Sequence, residues 1–133
     1  VGNVAVIPKA KKRKKSDRRK DEEACDKLFS LITRSIGMCE SGRLDHKGNL
    51  QCAHGISRSY KPIRWDPRNA WCLCAGCHVF YTLRPLEWDE WLHERWGEAL
   101  YGEMRQTALG GVRPDMKVLR AELVQMWKQI DGG

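Results

Sequence analysis

The tetrapeptide Cys74-Ala-Gly-Cys77 constrains this chain more than any other feature. Two thiolates at this spacing grip one tetrahedral ion from a tight turn, and a closed site then needs two more ligands. Six cysteines, Cys25, Cys39, Cys52, Cys72, Cys74 and Cys77, stand in 133 residues. An even count suits disulfides in a secreted chain. Here the short apolar run at 4–7 precedes the basic run, the wrong order for a secretory signal. That run is also far too short to span a membrane. Intracellular thiols stay reduced, so the expectation is a soluble, cytoplasmic protein with structural Zn²⁺ and no membrane partner. Cys39, in a turn before the first expected strand, is the best third ligand. The residue that would complete a second C-x-x-C is Gly42, so the fourth ligand is open. His46 ranks first, then Cys52, then Cys72. The last two also read simply as small buried residues on strands.

A metal makes physical sense here. The middle of the chain is polar and loop-rich, and a bound zinc supplies folding free energy of order 10 kcal/mol where an apolar core cannot. The length allows one domain with a modest core.

Charge is unevenly spread. Between Lys9 and Lys20 lie nine Lys/Arg and one Asp, a local +8 against a total of +7. The segment Arg34–Arg68 carries +4, and the chain from Pro85 onward −3. A basic arm followed by a basic middle points to a polyanion held by salt-sensitive, sequence-blind contacts. Lys11, Lys12, Arg13, Lys14 and Lys15 are the arm's candidates for contact with DNA.

Residues 1–20 read as a flexible basic arm. A helix is predicted over Asp21–Ile36, with Asp21, Glu22 and Glu23 at its N-terminus and Ala24, Leu28, Leu31 and Ile32 at helical spacing. Leu50–His54 alternates as a short strand. Residues 55–69, with Pro62 and Pro67, read as loop, Ala70–Leu73 as a second strand, and a helix follows around Cys74–Cys77. Pro85 opens another helix, whose Trp88, Trp91, Leu92, Trp96 and Leu100 form one apolar stripe. After Gly110-Gly111, Pro114 opens a last helix with Met116, Leu119, Leu123, Met126, Trp127 and Ile130 on one side. Such stripes are usually packing surface. Trp65 and Trp71 read the same way.

Within this frame His54 ends a strand, Asn69 precedes the next, and His78 directly follows Cys77. The stretch LQCAHGISRSYKPIRWDPRNAWCLCAGCH, residues 50–78, resembles the HNH endonucleases, which share the ββα-metal fold. It is most similar to short phage nucleases, including recombination endonucleases of the NinG/Rap type. The resemblance covers residues 9 to about 105. It implies an α+β fold: a ββα-metal core with a zinc knuckle, flanked by an N-terminal helix and C-terminal helices. Residues 21–105 would be the nuclease domain and 106–133 a helical extension. It implies a DNA endonuclease, with branched or recombination DNA as one substrate class. Phosphodiester hydrolysis needs a base near neutral pH, and a neutral imidazole at His54 supplies one. His78 would hold the catalytic Mg²⁺ or Mn²⁺. By the same resemblance Asn69 fixes the loop carrying the base and orients His54.

Arg58 and Arg64 are candidates for the scissile or flanking phosphate, and Lys61 and Arg68 for general backbone contacts. One departure stands out: many HNH proteins carry Asp or His before the base, and here it is Ala53. Mg²⁺ tolerates few protein ligands because it keeps several waters; Thr82 and Asp66 are weaker candidate donors. Two further readings compete: a non-catalytic zinc DNA-binding module, and an interaction domain using the acidic, Trp-rich C-terminal helices, which also offer a homodimer surface.

Overall fold

The computed structural model describes residues 5, 7–8 and 14–132. Helix α1 spans Asp17–Arg34, strand β1 Leu50–His54, strand β2 Ala70–Cys74, helix α2 Ala75–Thr82, helix α3 Pro85–Leu109 and helix α4 Met116–Asp131. A 3-10 turn at Pro67–Asn69 leads into β2. The architecture is α+β, with four helices and a two-stranded antiparallel sheet among the described residues. None of these helices is long and apolar enough to cross a membrane.

The order strand, strand, helix follows the alternation in the sequence closely. β1 pairs with β2 from Leu50↔Cys74 to His54↔Ala70. β2 runs one residue past the expected Leu73, because Cys74 both ends the strand and caps α2, its Sγ accepting the Cys77 N–H. One face of the sheet, with Cys52 and Ala70, packs on Cys25 and Phe29 of α1 and on Trp65. The other buries Ala53 and Leu73 against Cys77, with Tyr81 and Trp88 alongside. The sheet is thus a thin wall between α1 and the α2–α3 pair.

α1 departs from expectation at its start. Ser16 caps it, the hydroxyl accepting the Arg19 N–H, so residues 17–20 belong to the helix rather than to an arm. The acids expected at the N-terminus lie a turn inside it; Asp21 and Glu22 are buried and Glu23 is half-buried. Asp21 accepts from Arg120 at 2.9 Å and Lys117 at 3.3 Å, both on α4. The buried stripe is Cys25 and Phe29, one position round from the expected Ala24 and Leu28. The helix ends at Arg34, two residues before Ile36.

α3 is two helical pieces joined at Gly97, whose φ of 76° and ψ of 163° break the helix. The expected single stripe is therefore split. Trp91 and Trp88 face the sheet side, while Trp96 and Leu100 join Met104 and Ala108 in a cluster that also buries Ile63. The segment 55–69 is not only polar loop, since Ile63 and Trp65 are fully buried. α4 starts at Met116 behind an Asp115 cap rather than at Pro114. Its Met116 and Leu123 share one buried cluster with Cys25, Phe29 and Trp65, so the C-terminal segment completes the core over α1.

Candidate functional site

Cys39, His46, Cys74 and Cys77 converge, with their ligand atoms all within 4.8 Å of one another. His46 Nδ1 lies 3.7 Å from the sulfurs of both Cys74 and Cys77. A tetrahedral zinc with ordinary Zn–S and Zn–N bonds needs about 3.6 Å between such donors. Three thiolates and one imidazole are also a zinc donor set, so the residues fit that ion. His46 is thus the fourth member of the group, and Cys52 and Cys72 stand apart. They sit opposite each other in the sheet on the side facing α1, and burial pushes both thiols up.

The group is built by local backbone chemistry. Gly48, at φ +81°, lets the 39–49 loop lie against α2; a Cβ there would meet Ala75 Cβ at 2.8 Å. The Gly76 and Ala75 N–H groups then bond the carbonyls of Lys47 and Asn49. Desolvation alone would raise the Cys74 thiol, but N–H bonds from Cys77 and Lys47 outweigh it and hold it at about 7. Buried Ser41 donates to Cys77 Sγ at 3.2 Å, and Arg43 Nη1 donates to the same sulfur at 3.4 Å.

His54 and His78 line one open cleft of about 860 Å³, together with Gln51, Arg58, Thr82 and Trp88. Each ring is fixed by one nitrogen. His54 Nε2 is 2.9 Å from the Arg64 carbonyl oxygen. A carbonyl only accepts, so the neutral ring carries its proton on Nε2 and leaves the Nδ1 lone pair free. His78 Nδ1 donates to Gln51 Oε1 at 2.8 Å, leaving Nε2 free. Burial lowers the pKa of both imidazoles, and for His54 this outweighs the Arg64 carbonyl bond, which favours the charged ring. Phe29 stacks on the His54 ring at 5.7 Å.

Asn69 lies behind the cleft and is wholly buried. Its Oδ1 accepts the Ile56 N–H at 2.7 Å, and its Nδ2 donates to the carbonyls of Ile56 and Ile63. It therefore ties down the loop that leaves His54. Gly55 belongs to the same lock, since a Cβ there would meet the Trp96 ring at 2.9 Å and Asn69 Oδ1 at 3.0 Å.

The basic residues expected to meet phosphate are mostly engaged already. Arg64 makes a two-pronged bond to Asp26, at 3.1 and 2.6 Å, and Arg58 reaches the same carboxylate at 3.1 Å. Arg58 still lines the cleft and is 61% exposed, whereas Arg64 is 13% exposed. Lys61 pairs with Glu22, and Arg68 with Asp66 away from the cleft. Asp66 also caps the Pro67 turn and does not line the cleft that holds His78. Thr82 Oγ1 donates to the His78 carbonyl within its own helix. Lys11, Lys12 and Arg13 lie outside the described residues; Lys14 is described and exposed, and Lys15 pairs with Glu23.

Two positioning residues escape a reading of the sequence. Asp26 holds Arg64 and the Trp65 indole N–H, and so fixes the backbone carbonyl that sets the His54 tautomer. Gln51 does the same for His78. Gln51 carries a weak signal, as a polar residue on the strand face that otherwise buries Ala53. Asp26 carries none, because its partners are 38 and 39 residues away.

No family model matches the chain, and no curated protein and no solved structure matches it.

Proposed function

We propose that this chain is a metal-dependent DNA endonuclease of the HNH kind, with His54 as general base. The observation that carries the reading is a pair of neutral imidazoles in one cleft. Each has one nitrogen spent on a positioning bond and the other free.

In this reading the free Nδ1 of His54 takes a proton from a water molecule. The water oxygen attacks phosphorus from the side opposite the 3′ oxygen, and the P–O3′ bond breaks. A proton from solvent completes the 3′-hydroxyl, leaving a 5′-phosphate. Arg58, the exposed guanidinium on the cleft wall, contacts the phosphate. His78 Nε2 is the nitrogen that would hold Mg²⁺ or Mn²⁺. When bound, such an ion neutralises phosphate charge and stabilises the leaving oxygen. Ala53 supplies no further donor, so such an ion would need water and phosphate for its remaining ligands. Asn69 and Asp26 keep His54 in place and do not touch the reacting atoms. The Cys39/His46/Cys74/Cys77 group would hold a structural zinc at the start of α2.

Ala53 also favours a second reading. It is 2% exposed and packs in the core beside Leu73 and Cys77, where many HNH proteins would carry an Asp or His ligand. A chain lacking that donor can act as a DNA-binding module without cleavage. The two are separated by a cleavage panel of duplex, nicked, flap and four-way-junction DNA with Mg²⁺ or Mn²⁺. The nuclease reading expects divalent-dependent nicking on at least one substrate. Binding without cleavage on all of them favours the module.

A further inference from the structure

We propose that Arg43 and Arg84 form a clamp on the DNA backbone, one phosphate to each guanidinium, on the far side of α2 from the cleft. Three observations lead there. Arg43 Cζ lies 3.6 Å from the centroid of the Phe80 ring and Arg84 Cζ 3.9 Å from the same centroid. Two guanidinium planes cannot share one ring face at such distances, so the ring is sandwiched, with one positive charge on each of its faces. Like charges so placed repel each other, and an anion beside each relieves the repulsion. Second, each guanidinium is oriented by a single bond, Arg43 Nη1 to Cys77 Sγ and Arg84 Nη1 to the Phe80 carbonyl. An arginine has five N–H donors in a planar fork that matches phosphate, so most remain free. Third, Arg43 and Arg84 have no carboxylate partner among the described residues. Every basic residue of the 58–68 segment has one.

Phe80 lies about half a turn round α2 from His78. A strand contacting both sites would pass over α2, and the clamp would set the register of the DNA backbone rather than take part in hydrolysis. Arg43 is also tied to the metal-ligand group, since Cys77 Sγ accepts from its Nη1. The identity of the anion as a DNA phosphate rests on the nuclease reading; the presence of an anion site does not.

The test is equilibrium binding of a fluorescent DNA duplex across a KCl series without added divalent ion. Arg84→Gln and Phe80→Leu are measured beside the wild type, with zinc content and thermal unfolding determined for each. Arg84 touches none of the metal ligands, so zinc content is expected to stay at the wild-type level. Arg84→Gln is expected to weaken binding several-fold at low salt. It should reduce the slope of log Kd against log[KCl] by about 0.9, the value for one phosphate contact. Phe80→Leu, which keeps both charges but removes the ring that sets them, is expected to weaken binding in the same direction. Wild-type affinity and slope in Arg84→Gln overturn the clamp and leave the nuclease reading untouched. Salt-dependent loss of binding in a chain that never nicks DNA upholds the clamp and removes the nuclease.

Discussion

At the scale of single residues, the loop beside His54 is held by a group that does not line the cleft. Asn69 spends three hydrogen bonds on the loop after His54, and it is buried where no water can replace them. Asn69→Ala leaves the Ile56 N–H and two carbonyls without their partner. Each buried polar group left so costs about 1–3 kcal/mol. We expect a loss of at least about 2 kcal/mol in urea unfolding at unchanged m, with weaker nicking. Wild-type stability would mean that the loop does not depend on Asn69. Ala53 invites the opposite experiment. A small cavity of about 80 Å³ is bounded by Ala53, His54, His78 and Thr82. Ala53→Asp places a carboxylate there. Without a divalent ion the buried charge should destabilise the fold. With Mg²⁺ it should lower the ion concentration needed for half-maximal nicking, and an unchanged Mg²⁺ dependence would show that the ion sits elsewhere. The sequence made His54, Asn69 and His78 visible because their order and spacing are local. It hid Asp26 and Gln51, whose meaning lies in partners distant along the chain.

Among the elements, β1, β2 and α2 were readable because each is short, alternating or tightly capped, and residues 50–82 form them consecutively. The start of α1 was not readable from its acids. Asp21 and Glu22 looked like dipole partners for a helix N-terminus, yet they bond cations on other elements, which no local pattern encodes. The break in α3 was equally hidden, because a lone glycine in an apolar stripe is often tolerated inside a helix. The α1–α4 contact carries its own pH signature. The hydrogen bond from Arg120 is the largest influence on Asp21 and, with Lys117, holds its carboxyl below the usual carboxylate range against the opposing effect of burial. A depressed carboxylate pKa contributes stability above the unfolded-state value, and the contribution is lost as pH falls through the lowered folded value. Asp21→Asn is therefore expected to lower the urea midpoint at neutral pH, with the gap to wild type closing in acid. A gap that persists in acid would assign the effect to packing instead.

For the whole molecule, we expect a metal held by Cys39, His46, Cys74 and Cys77 to order the middle of the chain. The loop 39–49 has little apolar burial of its own; it meets α2 through backbone bonds from Ala75 and Gly76 and through the convergence of Cys39, His46, Cys74 and Cys77. We expect about one zinc per chain on release by denaturation. Its removal by a chelator should abolish cooperative unfolding of the native state, since site and fold form together. Retained cooperative unfolding at full metal loss would make the group dispensable for the fold. The coarse α+β class and this donor set were legible from composition and spacing. The enclosure of α1 by α4 was not, because an amphipathic C-terminal helix does not announce which face of the molecule it will cover.

The central claim is that the free Nδ1 of His54 removes a proton. It is tested most directly by the initial rate of supercoiled-plasmid nicking against pH at saturating Mg²⁺, for wild type and His54→Ala, with thermal unfolding showing that the variant is folded. Burial lowers the His54 pKa from its ordinary value of 6.5. The active, neutral form should therefore persist into mild acid. The wild-type rate is expected to climb below pH 6.5 and level off near neutrality. His54→Ala should lack that limb and run about 10²–10⁴-fold slower. A folded His54→Ala that nicks as fast as wild type, with the same pH profile, would contradict the account.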